Sequence, residues 1–272
     1  MAKNFTICVG TLGMGLWRSS DAGKTWARGK LWKGYQGGRS VFGLAVHPKD
    51  PRVIYAGADD GLYRSEDRGA NFEHIESALD AYKVWRIAID PMDPNTMFAG
   101  TAPPALFRSR DGGLHWERVA AEFAEECANV TTPRVTALVV DPLDHRFVWA
   151  GVEVDGVRVS HDNGDTWTRP SGGLMDEPDI HDIKPLPARA GAAAVTLPNE
   201  ICGQQRCRSE LASTRCAWTL SSSLLPQHSL QTRRCASDPR GYRRRCARRP
   251  RRHTALAGRR RYMGNAASSH RP

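Results

Sequence analysis

The chain has 272 residues and a formal net charge of +10, a length that suits one large all-β domain or two ordinary ones. The charge is unevenly divided: residues 1–186 carry 21 Lys+Arg and 26 Asp+Glu, a net −5, whereas 187–272 carry 18 Arg, no Lys and three acids, a net +15. No window approaches the roughly eighteen apolar residues of a membrane span, and Met1–Gly10 lacks the apolar core and small-residue cleavage site of a signal peptide. No membrane partner is expected, and the expected compartment is the cytoplasm, with reduced thiols.

In chain order, the elements repeat. "FTICVGT" (5–11) reads as a strand and leads to the turn "SSDAGKTW" (19–26). The same turn returns as "SEDRGANF" (65–72), "SRDGGLHW" (109–116) and "SHDNGDTW" (160–167). Its aspartates, Asp21, Asp67, Asp111 and Asp162, are 46, 44 and 51 residues apart. Between the turns lie "VFGLAVHPKDPRVIYAGADDGLYRS", "VWRIAIDPMDPNTMFAGTAPPALFRS" and "VTALVVDPLDHRFVWAGVEVDGVRVS". Each reads as an alternating strand, a Pro-containing turn, a second strand ending in small residues, and a third strand entering the box. Four short strands in about 45 residues is the arithmetic of a β-propeller blade. The expected fold is an all-β propeller of four-stranded blades, with about four blades in 1–201, an incomplete ring, and a disordered Arg-rich tail over 202–272.

The turn S-x-D-x-G-x-T-W resembles the box of the BNR/Asp-box repeat proteins. This propeller superfamily includes sialidases, xyloglucan-cleaving endoglucanases, sortilin-type receptors and a photosystem II assembly factor. The likeness runs from residue 4 to about 201 and is nearest to bacterial BNR-repeat, glycosyl-hydrolase-like proteins. It implies a propeller whose boxes lie at the blade periphery, away from any active centre.

The chemistry of the box suits a hairpin between third and fourth strands. Ser19, Ser65, Ser109 and Ser160 open it, and the four aspartates accept backbone N–H groups as Asx turns do. Gly23, Gly69, Gly113 and Gly164 supply positive φ. Trp26, Phe72, Trp116 and Trp167 are expected to plug the gaps between blades. The box residues are therefore structural, and no catalytic residue is assigned.

The fifth unit breaks. "AAAVTLPNEI" ends at Ile201, aligned with Leu62, yet no box starts at 204. Arg, Cys and Ser accumulate instead, with Cys202, Cys207, Cys216, Cys235 and Cys246 lacking the paired C-x2-C signature of a metal module. The genetic code suggests why. Read one nucleotide late, codons 204–211 permit S-N-D-V-G-A-S-W, and codons 256–263 permit S-x-D-x-G-x-T-W, with Met263-Gly264 forcing its Trp. The tail reads as a frameshift product, so neither a metal nor nucleic-acid binding is expected, and no cofactor is called for. The first blade lacks its first strand, which is expected to come from the C-terminal end in a closed ring.

No G-x-S-x-G, Walker loop or H-E-x-x-H is present, nor the early Arg-Ile-Pro of sialidases. Aligning the first strands on Val46, Ile89 and Val140 makes Ser40, Lys83 and Arg134 equivalent. Arg39, Trp85, Arg86 and His181 fall nearby, and with Lys83 and Arg134 form the candidate ligand-binding cluster at the channel mouth. Asp59, Asp60, Glu153 and Asp155 stand in the loops before the box, as carboxylates or cation ligands. His47 reads as a turn residue, His115 and His161 as exposed, and Cys8 as an inert strand thiol. The expected function is a scaffold that binds a small molecule, a glycan or a protein. The alternative is a glycoside hydrolase of the sialidase or xyloglucanase type, and a second alternative is a basic tail that binds nucleic acid.

Overall fold

The structure, a computed structural model, describes residues 5–32, 38–127, 130, 132–170, 179–187, 189–197 and the backbone of 217–221. The fold is an all-β propeller; among the described residues its one helical turn is the 3-10 segment Ala78–Ala81. Strands β1 (Ile7–Thr11), β2 (Gly15–Ser19) and β3 (Ala27–Arg28) form the first antiparallel sheet. The second holds β4 (Val41–Val46), β5 (Ile54–Ala58), β6 (Gly61–Ser65) and β7 (Glu73–Ile75), and the third β8 (Lys83–Ile89), β9 (Met97–Ala102), β10 (Leu106–Ser109) and β11 (Glu117–Arg118). The fourth is β12 (Val135–Val140), β13 (Val148–Val152) and β14 (Gly156–Ser160), with a single Val159–Thr168 bridge where a fourth strand would lie. The fifth joins β15 (Asp182–Pro185) and β16 (Ala192–Thr196) to β17 (Ala217–Ser221).

Successive sheets pack face to face through their innermost strands, β4 on β8, β8 on β12 and β12 on β15. The core is accordingly a series of interlayers rather than one centre. Tyr55, Leu62, Val84, Phe107 and Trp116 fill the second interface, and Trp149, Ile180, Ile183 and Val195 the fourth. Each fully buried side chain of this size stabilises by roughly 1.5–3 kcal/mol. Close approach depends on glycine. Gly10, Gly57, Gly100 and Gly151 each abut the first branched residue of the next sheet, Val41, Val84, Val135 and Ile180, and an added Cβ would overlap it.

The box turns are built alike. Ser19 Oγ donates to Asp21 Oδ1 at 2.8 Å, the Gly23 N–H donates to Ser19 Oγ at 2.8 Å, and the Thr25 N–H donates to Asp21 Oδ1 at 2.9 Å. The Ser–Asp bond is also 2.8 Å in the boxes of Asp67, Asp111 and Asp162. Besides the box glycines, the preceding Ala22, Arg68 and Asn163 have φ of 61°, 60° and 59°. Two successive left-handed residues match the twist of a tight hairpin. The strand of the preceding sheet reaches under each turn: Cys8 Sγ lies 3.8 Å from the Arg68 carbonyl, Tyr55 Oη donates to the Gly112 carbonyl at 2.8 Å, and Phe98 sits against Gly164.

One expectation is corrected at Trp26. Phe72 and Trp116 are 7% and 8% exposed, as interface plugs should be, whereas Trp26 is 43% exposed. Among the described residues no sheet packs on its side of the first blade. Within the segment read as a disordered tail, Ala217–Ser221 pairs with β16. Three residues separate β13 from β14, but twenty separate β16 from β17. The rest of 202–272, including the missing box at 204 and the frameshift it implies, lies outside the described residues.

Candidate functional site

The innermost strands all begin at one end of the propeller, and the β5–β6, β9–β10 and β13–β14 turns return to that end. The boxes lie at the opposite ends of the third strands. Each of the first three complete inner strands is bulged at the same place, between Val41 and Gly43, Val84 and Arg86, and Val135 and Ala137. A bulge re-aims the extra side chain, here Phe42, Trp85 and Thr136. Since Ile180 takes the place of these valines, His181 stands where Phe42, Trp85 and Thr136 stand, and Asp179 where Ser40, Lys83 and Arg134 stand.

The bulged residues meet across blades. Phe42 stacks on Trp85 with ring centroids 4.5 Å apart, and the Arg134 guanidinium lies 4.2 Å from the Trp85 ring. Arg134 Nη2 pairs with Glu153 Oε1 at 2.6 Å, and the Glu153 N–H donates to the Arg134 carbonyl at 3.0 Å. His181 Nε2 pairs with Asp179 Oδ2 at 3.1 Å. Burial pushes the Glu153 carboxyl above the ordinary range; Arg134 opposes that, and the charge of Asp179 adds to it. Arg86 turns aside, donating from Nε to the Thr136 carbonyl at 2.6 Å, while the Thr136 hydroxyl donates to the Ile180 carbonyl.

A second group sits between the first two blades at the same end. Asp60 accepts from Trp32 Nε1 at 3.1 Å and from Arg39 Nη1 at 2.5 Å. Tyr63 stacks edge-on against Trp32, and its hydroxyl is pushed up to about 12 by burial and by the nearby Asp60 charge. Asp59 caps the Ser40 N–H at 2.6 Å.

The expected cluster is therefore divided. Trp85, Arg134 and His181 come together at the bulges, with Arg86 beside them as a backbone clamp; Arg39 belongs with Asp60, and Lys83 is exposed without an ion pair among the described residues. Asp155 is buried and anchors Arg158 at 2.6 Å, with Ala124 N–H and Arg169 also on it, so its role is to hold the loop after β11. His47 Nδ1 accepts the Lys49 and Asp50 N–H groups. Phe42, Asp179 and Trp32 escaped the sequence reading. Asp179 was reachable by extending the Val41–Val84–Val135 ruler to Ile180, but Trp32 carried no repeat signal.

Box turns, sheet order and interblade register together define an Asp-box β-propeller. The BNR-Asp box repeat family matches residues 62–75, the third strand and box turn of the second blade. It is 27% identical over 148 residues to the oligoxyloglucan-reducing end-specific xyloglucanase of Emericella nidulans, covering 50% of this chain and 18% of that protein. To xyloglucanase Xgh74A of Acetivibrio thermocellus it is 31% identical over 134 residues, covering 39% of this chain and 16% of that protein. In structure it is similar to the GH74 xyloglucanase from Xanthomonas campestris, with a TM-score of 0.55 and 17% identity over 71% of this chain and 33% of that one. An ancestral GH74 enzyme gives a TM-score of 0.56 at 19% identity, over 71% of this chain and 26% of that one. The chain spans less than a fifth of the length of these curated relatives.

Proposed function

We propose that the protein is a glycoside hydrolase of the xyloglucanase kind, binding a β-linked glucan across the end of the propeller where the inner strands begin. The carrying observation is that this end gathers aromatic rings (Trp32, Phe42, Trp85) with half-buried carboxyls (Asp60, Glu153, Asp179) from successive blades. Glycosidic cleavage uses two carboxyls in different protonation states. Asp60, which accepts from Arg39 and Trp32, and Glu153, which pairs with Arg134, are two carboxyls at this end. The similarity to xyloglucanases supports the substrate class.

The test is incubation of the protein with xyloglucan and cello-oligosaccharides, measuring new reducing ends and, in parallel, binding by calorimetry. New reducing ends from xyloglucan are expected. Absence of both cleavage and glucan binding overturns the proposal. Binding without cleavage moves the assignment to a glycan-binding scaffold.

A further inference from the structure

Six buried side-chain polar atoms lack a hydrogen-bond partner among the described residues, and four of them belong to one cluster: Trp85 Nε1, Arg134 Nε, Glu153 Oε2 and Asp179 Oδ1. An unpaired buried polar atom costs about 1–3 kcal/mol, and native proteins retain few. Their concentration on three adjacent blades is a site demanding a ligand rather than scattered imperfection.

The chemistry of the missing partner follows from the atoms. Two are N–H donors and two are carboxylate acceptors. A cation would satisfy the oxygens but meet a guanidinium and an indole N–H. An anion would satisfy the donors but meet two carboxylates. A hydroxyl group both donates and accepts, and two neighbouring hydroxyls present two donors and two acceptors. Ring stacking is not the mode of contact here. Two groups cannot share one face of an indole at 4.5 Å and 4.2 Å, so Phe42 and Arg134 take both faces and leave only its edge.

We propose that Trp85, Arg134, Glu153 and Asp179 form a subsite for a vicinal diol of a neutral sugar. The hydroxyls donate to Glu153 Oε2 and Asp179 Oδ1 and accept from the indole and guanidinium N–H groups. These atoms are closed to solvent in the free protein. Entry requires the Arg134 side chain, 38% exposed against 12% for Glu153, to swing outward from its anchor on Glu153 Oε1. Identifying the sugar as a glucan unit rests on the function proposed above; the diol chemistry does not.

Calorimetric titration with cellotetraose and with myo-inositol, on the full chain and on Glu153→Ala, Asp179→Asn and Trp85→Phe, tests this. Trp85→Phe keeps a six-membered aromatic ring against Phe42 and removes the indole N–H together with the pyrrole ring, so it remains informative if Glu153→Ala, which leaves Arg134 unpaired, does not fold. The expected result is cellotetraose binding weakened about tenfold or more by each variant, with Trp85→Phe still melting in one cooperative transition. Cellotetraose binding that is unaffected by all three variants overturns the subsite and leaves the glucan reading intact. Binding of myo-inositol alone, lost in the variants, keeps the subsite and refutes the glucan reading. Failure of both polyols to bind, or saturation of the cluster by calcium ion alone, overturns the subsite.

Discussion

At the scale of single residues, the box aspartates are turn anchors whose charge matters to stability. In Asp111 the His115 N–H and side chain, with the Ser109 hydroxyl, outweigh burial and hold the carboxyl at about 2. In Asp67 burial pushes up, yet the Asn71 N–H and side chain, Ser65 and Ala70 bring it to about 2. Asp21, through Thr25 and Ser19, lies well below the usual carboxylate range. A carboxyl whose folded pKa is depressed contributes stability that is complete above its unfolded value and lost as pH falls through its folded value. Their contribution is therefore full above about pH 4 and disappears towards pH 2. Glu153 has the opposite sign: its raised pKa favours the folded state at low pH, and that preference is lost as pH rises through the shifted value. Thermal melts from pH 2 to 6 should show Tm falling steeply on acidification below about pH 4, less steeply in Asp111→Asn. A flat profile refutes the anchoring role.

At the scale of elements, a hairpin and the sheet before it are one unit. Gly164 has φ +84° and lies where a Cβ would strike the Phe98 ring. Strain of this kind costs about 1–3 kcal/mol, and displacement of Phe98, fully buried in the third interface, adds to it. Gly164→Ala should lower the denaturation midpoint by at least the equivalent of about 2 kcal/mol in urea unfolding, more than Gly112→Ala, whose Cβ would meet only Asn95 at 3.8 Å. Equal losses in the two variants would show that backbone strain alone decides. The strands, their order and the box were legible because a two-residue alternation and four copies of a turn reinforce one another. The bulges at Phe42 and Trp85 were not: a bulge is a local register choice, decided by backbone packing such as Gly43 against the Trp85 carbonyl.

For the whole molecule, the repeat is irregular at two places among the described residues, and these differ in kind. Trp26 faces outward on the first blade, where its counterparts Phe72 and Trp116 are covered. At the other end, β17 pairs with β16 only after twenty residues, while the repeat demands its third strand near Ile201. A chain translated one nucleotide late after codon 201 is expected to carry a box at 204–211, to melt at higher temperature, and to aggregate less, since exposed edges pair with other chains. Stop codons in that frame, or no change in melting and solubility, would refute the displaced message.

By itself the sequence determined the fold class, the repeat unit and the box turns. All three are local or periodic, and hydrogen bonding within four residues and alternation along a strand are written in the order of the residues. Only the tertiary structure decided the site. It placed Arg134 on Trp85, brought Glu153 and Asp179 to the same cluster and sent Arg39 to Asp60 instead. The contact of Arg134 with Trp85 and the approach of Asp179 to Glu153 join residues on different blades, separated by tens of positions, and depend on bulges and interblade glycines that set how closely the sheets approach.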